Sequence, residues 1–335
     1  MDTGVSTAHV RIFCQNQEVL SDDDNDNAEN VARTGPESLD ATEADLVLRA
    51  IRRYAECRLE STITLPLSPR GHDELTAALE LESNLDLSQF MGDKGRIFYN
   101  GSSFGIKLPS CANEVFAGLV RTLITDKLRE MAASQSSKHV SALIDKVHCF
   151  GSAIVDLPHT SLQGCRCPDT SFSSKESVYP FVVVEMAYPQ YSEDLQAIAK
   201  QYMDGSCGGI KVFLGFDIPT PSTPGDATVS VWRTRLEGPC DVHNPHPILV
   251  PTLVMLNKPF QSADGTPVNQ NYNVDLFLCD FVPYRYWQDV DDIRLMRISF
   301  RQLSEFATIA LEHATPAPAV QETLYRVLPR THYDE

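Results

Sequence analysis

Apolar residues recur along the chain at two spacings, one typical of helices and one typical of strands. At helical spacing they lie three and four residues apart, which places them on one face of a helix. Thr42 with Asp45, and Ser299 with Gln302, resemble capping boxes that open the first and the last of these helices. The sequence predicts helices that begin at Thr42, over Asp73–Leu81, over about 112–131, over about 192–204 and near Ser299.

The strands are predicted from short apolar or alternating runs between turn residues. Arg96–Tyr99 and Phe104–Leu108 flank Asn100-Gly101, a pair typical of a hairpin turn. Further strands are predicted at Val147–Leu157, Asp169–Phe172, Phe181–Ala187, Ile210–Ile218, Ala227–Arg235, Ile248–Leu256 and Val274–Cys279.

The order of these elements predicts an α/β fold. From 112 to 218 it is helix, three strands, helix, strand. A helix between Phe181–Ala187 and Ile210–Ile218 implies that these two strands are parallel, so the central sheet is mixed. We expect a disordered acidic tail at 1–41, peripheral helices at 42–93, the α/β core at 94–236, and a β-rich extension with a closing helix at 237–335.

Charge is distributed unevenly over the 335 residues. The net charge is −17, but much of it lies in the first 45 residues, which hold 11 acidic and 2 basic side chains. Residues 94–236, with 13 acidic and 14 basic side chains, are close to neutral. This distribution argues against tight non-specific binding of nucleic acid, because no basic patch stands out.

The remaining composition predicts an intracellular globular protein, in the cytoplasm or the nucleus. No run of about 18 apolar residues predicts a membrane span, and the N-terminus lacks a secretory signal pattern. Nine irregularly spaced cysteines favour a reducing compartment over a disulfide framework.

Two carboxylates define the candidate chemistry of the core. Asp169 follows Pro168 at the start of a predicted strand, and Glu185 ends the apolar run Phe181–Val184. A buried carboxylate needs a partner, and two that lie side by side suit a hard divalent cation. Asp169 is also explained as a turn residue, and Glu185 as one half of a structural ion pair with Arg166 or Lys175.

Other motifs carry less chemistry. Cys165 and Cys167, together with Cys240, His243 and His246, form an alternative zinc set, but one residue between the first two cysteines is poor spacing for zinc. No lysine-serine pair follows Gly208-Gly209 at the spacing of a phosphate-binding loop, so these glycines are interpreted as a turn.

Six segments, in this order, carry a resemblance to a known family. They are LPSCANEVF (108–116), GSAIVDL (151–157), PDTSF (168–172), YPFVVVEMAYPQ (179–190), DLQAIAKQY (194–202) and IKVFLGFDI (210–218). With this order of elements, the region 96–236 resembles the PD-(D/E)XK nuclease superfamily, and within it the Uma-type restriction endonucleases and their fungal relatives.

The resemblance implies a restriction-endonuclease-like core and a metal-dependent cleavage of DNA or RNA phosphodiesters. Asp169 and Glu185 would bind Mg²⁺ or Mn²⁺ together with the backbone carbonyl of Met186, and Glu114 would be the third acidic group. Glu114 is also explained as an acid in the first turn of a helix, where the helix dipole favours it.

The chain departs from the family pattern at the catalytic lysine. The simplest motif places it two residues after the second acid, where this chain has Ala187. The Uma-type position, four residues from both Asp194 and Tyr202, is Ile198. Lys200 and Gln190 are nearby substitutes, although Lys200 is rotated by about 200° from the position of residue 198 on a helix.

Two functions follow. One is the metal-dependent nuclease, which in related proteins often works as a homodimer. The other is a catalytically degenerate nuclease fold that acts as a binding or interaction module, with a protein partner for the acidic N-terminal tail. The missing lysine and the acidic surface outside the core favour the second function.

Overall fold

The fold was analysed in a computed structural model. It describes residues 41–57, 63–93, 95–107, 109–158, 164–187, 195–219, 224–237, 248–286, 290 and 293–314. The predicted acidic tail therefore lies almost wholly outside the described residues.

Seven α-helices lie in the described part of the chain. They are α1 Glu43–Cys57, α2 Pro69–Leu79, α3 Leu85–Asp93, α4 Cys111–Ser134, α5 Lys138–Asp145, α6 Leu195–Gly205 and α7 Phe300–Ala314. None of the helices in the described segments is both apolar enough and long enough to cross a membrane.

Thirteen strands complete the regular structure of the described residues. They are β1 Ile63–Pro66, β2 Arg96–Tyr99, β3 Ser103–Lys107, β4 His148–Cys149, β5 Val155–Leu157, β6 Gly164–Arg166, β7 Thr170–Ser173, β8 Val182–Ala187, β9 Val212–Asp217, β10 Ala227–Glu237, β11 Ile248–Gln261, β12 Asn273–Phe277 and β13 Arg294–Ser299.

The strands form two larger sheets and one hairpin. A six-stranded mixed sheet has the order β11-β10-β9-β8-β7-β4, and a five-stranded sheet has the order β1-β3-β2-β6-β5. The β12 and β13 strands pair with each other. The prediction of a mixed α/β protein is confirmed.

The six-stranded sheet is covered on both faces by helices. Val182 and Val184 pack in the same core as Phe116 and Val120 of α4. Val183 faces the opposite side and packs with Tyr202 of α6. Since successive strand residues point to opposite faces, Glu185 shares the α6 face with Val183. Each fully buried apolar side chain contributes on the order of 2 kcal/mol.

The β8–α6–β9 connection was predicted correctly. Val182 pairs with Val212 and Glu185 pairs with Gly215 in a parallel register. Gly215 lies under α6, where an added Cβ would stand about 3.1 Å from the Leu195 side chain. The hairpin at Asn100-Gly101 is confirmed as well, with Gly101 at φ 89°.

The prediction of one strand over Val147–Leu157 is wrong. The segment forms two short strands, β4 and β5, which belong to different sheets. Gly151 lies between them with φ 58°, a left-handed conformation that turns the chain from one sheet to the other.

The segment 42–93 contains more than the predicted peripheral helices. Thr42 and Asp45 exchange the expected capping bonds at 3.1 and 3.2 Å. The second helix begins at Pro69 rather than Asp73, because Ser68 caps it through the Gly71 N–H at 3.1 Å. The same segment supplies β1, which pairs with β3.

The C-terminal segment shares the core of the α/β region. The predicted boundary near 236 falls inside β10, whose partners are β9 and β11. Phe260 and Phe300 are buried in the same cluster as Phe116. The predicted capping box at Ser299 and Gln302 is confirmed, with backbone-to-side-chain bonds of 3.0 and 3.2 Å.

Candidate active site

Asp169 stands at the start of β7 and is held against β8. Its N–H donates to the Val184 carbonyl at 3.1 Å, and its Oδ2 accepts from the Met186 N–H at 2.7 Å. Asp169 is therefore opposite Glu185 across an antiparallel pair, as predicted. It is buried, which a plain surface turn residue would not be.

Glu185 is enclosed in the middle of the molecule. Its Oε1 accepts from the Tyr202 hydroxyl at 2.8 Å, and its Oε2 accepts from the Lys107 ammonium at 3.3 Å. Its side chain is 1% exposed. These two partners satisfy one acceptor site on each carboxylate oxygen. They offset part of the free energy that it costs to bury the Glu185 charge, and the rest of that cost remains.

The electrostatics of Glu185 reflect this balance. Burial raises the pKa of its carboxyl to about 7; Lys107 opposes the rise, and the Asp169 charge adds to it. Arg166 and the Tyr202 hydrogen bond lower the same pKa. A like-charged neighbour together with desolvation is a recurrent arrangement at catalytic carboxylates.

Glu114 lies at the edge of this site rather than inside it. It is in the first turn of α4 and its side chain is 49% exposed. Arg96 of β2 donates to its Oε1 at 2.6 Å and approaches Asp169 Oδ1 with its Nε at 3.8 Å. Arg96 thus joins the two predicted acids, and its buried Nε has no hydrogen-bond partner within the described part of the chain.

The five-stranded sheet supplies all three cations around the carboxylates. Arg96 is on β2, Lys107 on β3 and Arg166 on β6. Three acidic side chains of the other layers (Asp169, Glu185 and Glu114) meet these three basic ones, so the site is close to electrically neutral. Because the cations come from the five-stranded sheet and Asp169 and Glu185 from the six-stranded sheet, the site lies between the two sheets.

Sequence reasoning missed Lys107 and Arg96. Both are charged residues at the ends of apolar strands, and both are buried at 7% exposure. A charge at the end of a buried strand is the same signal that singled out Glu185. Lys107 lies 78 residues before Glu185, and no local spacing links them.

The two predicted substitutes for the lysine are not brought to the carboxylates. Lys200 is exposed on α6 and borders a groove with Trp232 and Leu253, because the buried face of α6 holds Ile198 and Tyr202. Gln190 lies outside the described residues. The metal-binding role of the Met186 carbonyl stays a prediction.

Of the two structural ion-pair partners considered for Glu185, Arg166 acts through its charge. Its guanidinium donates to Gln201 at 2.5 Å. Lys175 lies on the turn after β7, and no ion pair joins it to Glu185 in the described part of the chain. Lys107 does form an ion pair with Glu185, at 3.3 Å.

The alternative zinc set has little support among the described residues. Cys165 and Cys167 are buried in an apolar cluster, and burial raises the pKa of the Cys167 thiol to about 11, which disfavours the thiolate that zinc binds. Cys240, His243 and His246 lie outside the described residues. In the described ranges, no group of three His, Cys, Asp or Glu side chains is arranged to hold a metal.

No protein-family model matches this chain, and none of the curated proteins matches it.

Proposed function

We propose that the chain is a metal-dependent phosphodiesterase of the nuclease type, with Asp169 and Glu185 at its centre. The observation that carries the proposal is the pair of buried carboxylates on neighbouring strands with the Lys107 ammonium 3.3 Å from Glu185. The antiparallel β7–β8 pair, followed by α6 and the parallel β9, supports a restriction-endonuclease-like core.

The donors present fit a hard cation in kind. Asp169 and Glu185 offer carboxylate oxygens, the ligands that Mg²⁺ and Mn²⁺ prefer, and the Met186 carbonyl is a third oxygen. The raised pKa of Glu185 reflects negative charge held in a low dielectric, which a cation relieves. A bound divalent ion would supply Lewis acidity toward a phosphate oxygen and a more acidic water.

Lys107 takes the part of the lysine that is missing at Ala187 and Ile198. Its charge favours the ionised form of Glu185, and it approaches the carboxylates from β3 instead of from β8 or α6. Its ammonium lies 3.3 Å from Glu185 Oε2, which places a positive charge beside the carboxylates, where a phosphate would bind. Lys107 therefore combines orientation of Glu185 with charge for a phosphate.

Tyr202 and Arg96 position the acids. The Tyr202 hydroxyl fixes Glu185 Oε1 at 2.8 Å, leaving its other lone pair for a ligand. Arg96 spans from Glu114 to Asp169, so that Glu114 acts on the site through Arg96.

The test is calorimetric titration with Mn²⁺, followed by a nicking assay on supercoiled DNA and a cleavage assay on RNA. We expect Asp169→Ala with Glu185→Ala to abolish both binding and cleavage. Lys107→Ala should retain Mn²⁺ binding and reduce cleavage by about 10²-fold or more, with partial recovery in Lys107→Arg. Lys200→Ala is the matched control, since it removes an exposed lysine of α6. Cleavage that survives in the double variant overturns the proposal.

A second function, a binding module without catalysis, is favoured by a different observation. Each oxygen of Asp169 and Glu185 already has a donor or cation of the protein beside it, and Arg96, Lys107 and Arg166 balance the charge of the three acids. A site of that kind is stable without a metal. This hypothesis expects no Mn²⁺ binding by the wild type, and a protein partner captured by the full chain but not by one that lacks residues 1–41.

A further inference from the structure

A second concave site lies beside the turn that follows β7. Its volume is about 330 Å³, and it is bounded by β7, by this turn and by the segment 150–155. Ser171, Ser173, Ser174 and Ser177 line it together with Lys175. The hydroxyls of Ser171, Ser173 and Ser177 already donate to backbone carbonyls, so the Ser174 hydroxyl and the Lys175 ammonium are the donors that suit an anionic ligand.

Ser174 and Lys175 are two polar groups of this cavity that have no partner among the described residues. Ser174 is 6% exposed, and its buried Oγ has no hydrogen-bond partner in the described segments. Lys175 is exposed and forms neither an ion pair nor a hydrogen bond with any described residue. A buried hydroxyl left unsatisfied costs about 1–3 kcal/mol, and a ligand with acceptor oxygens would relieve that cost.

The turn that carries these residues is fixed in place before any ligand arrives. Glu176 bonds Lys146 at 2.8 Å and Arg285 at 2.7 Å. The Ser177 N–H donates to the Ser174 carbonyl at 3.1 Å. A site that is already ordered loses little entropy on binding.

The charges around the cavity are mainly positive. Lys146, Lys175 and Arg285 surround the turn. Glu176 is occupied by Lys146 and Arg285, and the charge of Asp156 reaches Tyr179 on the far wall. The cations outnumber the acids, in contrast to the acidic character of the whole chain.

The cavity and the candidate active site share one face of β7. Phe172 points into the core beneath α4, so Ser171, Ser173 and Asp169 point to the other side. Four residues of strand separate Asp169 from Ser173, which is roughly 14 Å at about 3.4 Å per residue. Asp169 and the cavity therefore lie on one face of the strand, at a distance that a short single-stranded segment spans.

Apolar groups complete the cavity. Phe150 is 44% exposed and Val178 is 90% exposed, and both line it beside Ile154. An exposed phenyl ring is a surface on which an unpaired base stacks. A hydroxyl, an ammonium and an aromatic ring in one cavity match the phosphate and the base of one nucleotide.

We propose that this cavity binds a single unpaired nucleotide of the nucleic acid cleaved at Asp169 and Glu185. Lys175 and Ser174 bind its phosphate, and Phe150 stacks on its base. This assignment rests on the proposed function, and it makes single-stranded nucleic acid the substrate class.

The test is binding of a short fluorescent single-stranded oligonucleotide to the full chain, with a chelator present so that no cleavage occurs. We expect Lys175→Ala to weaken binding and to reduce the slope of log affinity against log salt by roughly 0.7. Phe150→Ala should weaken it by about tenfold, and Ser174→Ala by less. Lys138→Ala, which removes an exposed lysine at the start of α5, is the matched control and should bind as the wild type does.

Three results would overturn the assignment. One is equal affinity of the Lys175→Ala and Lys138→Ala proteins. Another is tighter binding of a duplex than of the single strand. The third is competition by inorganic phosphate as strong as by the oligonucleotide, with no effect of Phe150→Ala, which would leave only an anion site. Thermal unfolding of each variant verifies that it is folded.

Cleavage assays with Mn²⁺ on the same proteins separate this inference from the proposed function. Loss of binding in Lys175→Ala without any cleavage by the wild type supports the nucleotide site and contradicts the nuclease. Cleavage with the same KM in Lys175→Ala and wild type supports the nuclease and contradicts the nucleotide site.

Discussion

The site around Glu185 and the ion pair of Asp280 with Arg233 are both buried, yet their surroundings differ in kind. Asp280 is a single carboxylate. It accepts from Arg233 at 3.0 Å and from the Phe277 N–H at 2.8 Å. Burial raises its pKa to about 6, and Arg233 opposes the rise. Glu185 has a second carboxylate, Asp169, beside it.

The comparison shows how a structural ion pair differs from a functional candidate. Asp280 and Arg233 connect the segment after β12 to β10, and Lys211 completes the cluster through the Val282 carbonyl. These contacts join the segment after β12 to β10 and to the residue before β9. At Glu185 a second carboxylate, Asp169, adds to the rise of the pKa that burial causes, although Lys107 and Arg166 oppose it.

Loss of Arg233 should have the largest effect on stability. Arg233→Ala leaves Asp280 buried without its main cation, so the free energy of unfolding should fall by about 3–5 kcal/mol. Urea denaturation measures it, and Mn²⁺ titration of the same protein should be unchanged. A variant as stable as the wild type would show that the ion pair of Asp280 with Arg233 does not stabilise the fold.

The next effect is the pH dependence of Glu185. Its folded pKa of about 7 lies above the ordinary value of 4.5, so the folded state binds the extra proton between these values. The contribution of Glu185 to the free energy of unfolding is complete below about pH 4.5 and is lost as the pH rises through 7. Without divalent ions, the free energy of unfolding of the wild type should fall by about 2–3 kcal/mol more than that of Glu185→Gln between pH 4.5 and 7.

The matched control is Asp280→Asn. The pKa of Asp280 is about 6, so the stability that depends on Asp280 changes at lower pH than the stability that depends on Glu185. Denaturation curves at several pH values separate the two. With Mn²⁺ present, the slope due to Glu185 should shrink and that due to Asp280 should not. Identical slopes with and without Mn²⁺ would contradict metal binding at Glu185.

A smaller effect is expected from the Tyr202 hydroxyl. Tyr202→Phe removes a hydrogen bond that lowers the pKa of Glu185, so this pKa should rise further. The cost should be about 1–2 kcal/mol at pH 8, where Glu185 is ionised, and less at pH 5. Denaturation at both pH values is the measurement. An equal loss at the two values would mean that the hydroxyl acts through packing alone.

Lys200→Ala should have the smallest effect. Lys200 is exposed on α6, so its loss should change stability by less than about 0.5 kcal/mol and leave Mn²⁺ affinity unaltered. A large loss of cleavage in this variant would show that Lys200, rather than Lys107, has the role of the catalytic lysine.

Much of the fold was predictable because it depends on local patterns. The β8–α6–β9 unit follows from two apolar runs with a helix between them, and the caps at Thr42 and Ser299 follow from residue pairs three apart. The break at Gly151 was not predictable in this way, since a single glycine inside an apolar segment does not tell which sheet each half joins. The helix α5 and the strand β1 also escaped prediction, because their patterns are short.

The sequence by itself determined the two carboxylates, Asp169 and Glu185, and the strands that bring them opposite each other. The alternation of side chains along β7 and β8, and the parallel pairing of β8 with β9, follow from segments that are consecutive in the sequence. Only the tertiary structure decided what surrounds these acids. Lys107 and Arg96 arrive from a second sheet, and their pairing with Glu185, Asp169 and Glu114 depends on how two layers pack, which no spacing within one segment encodes.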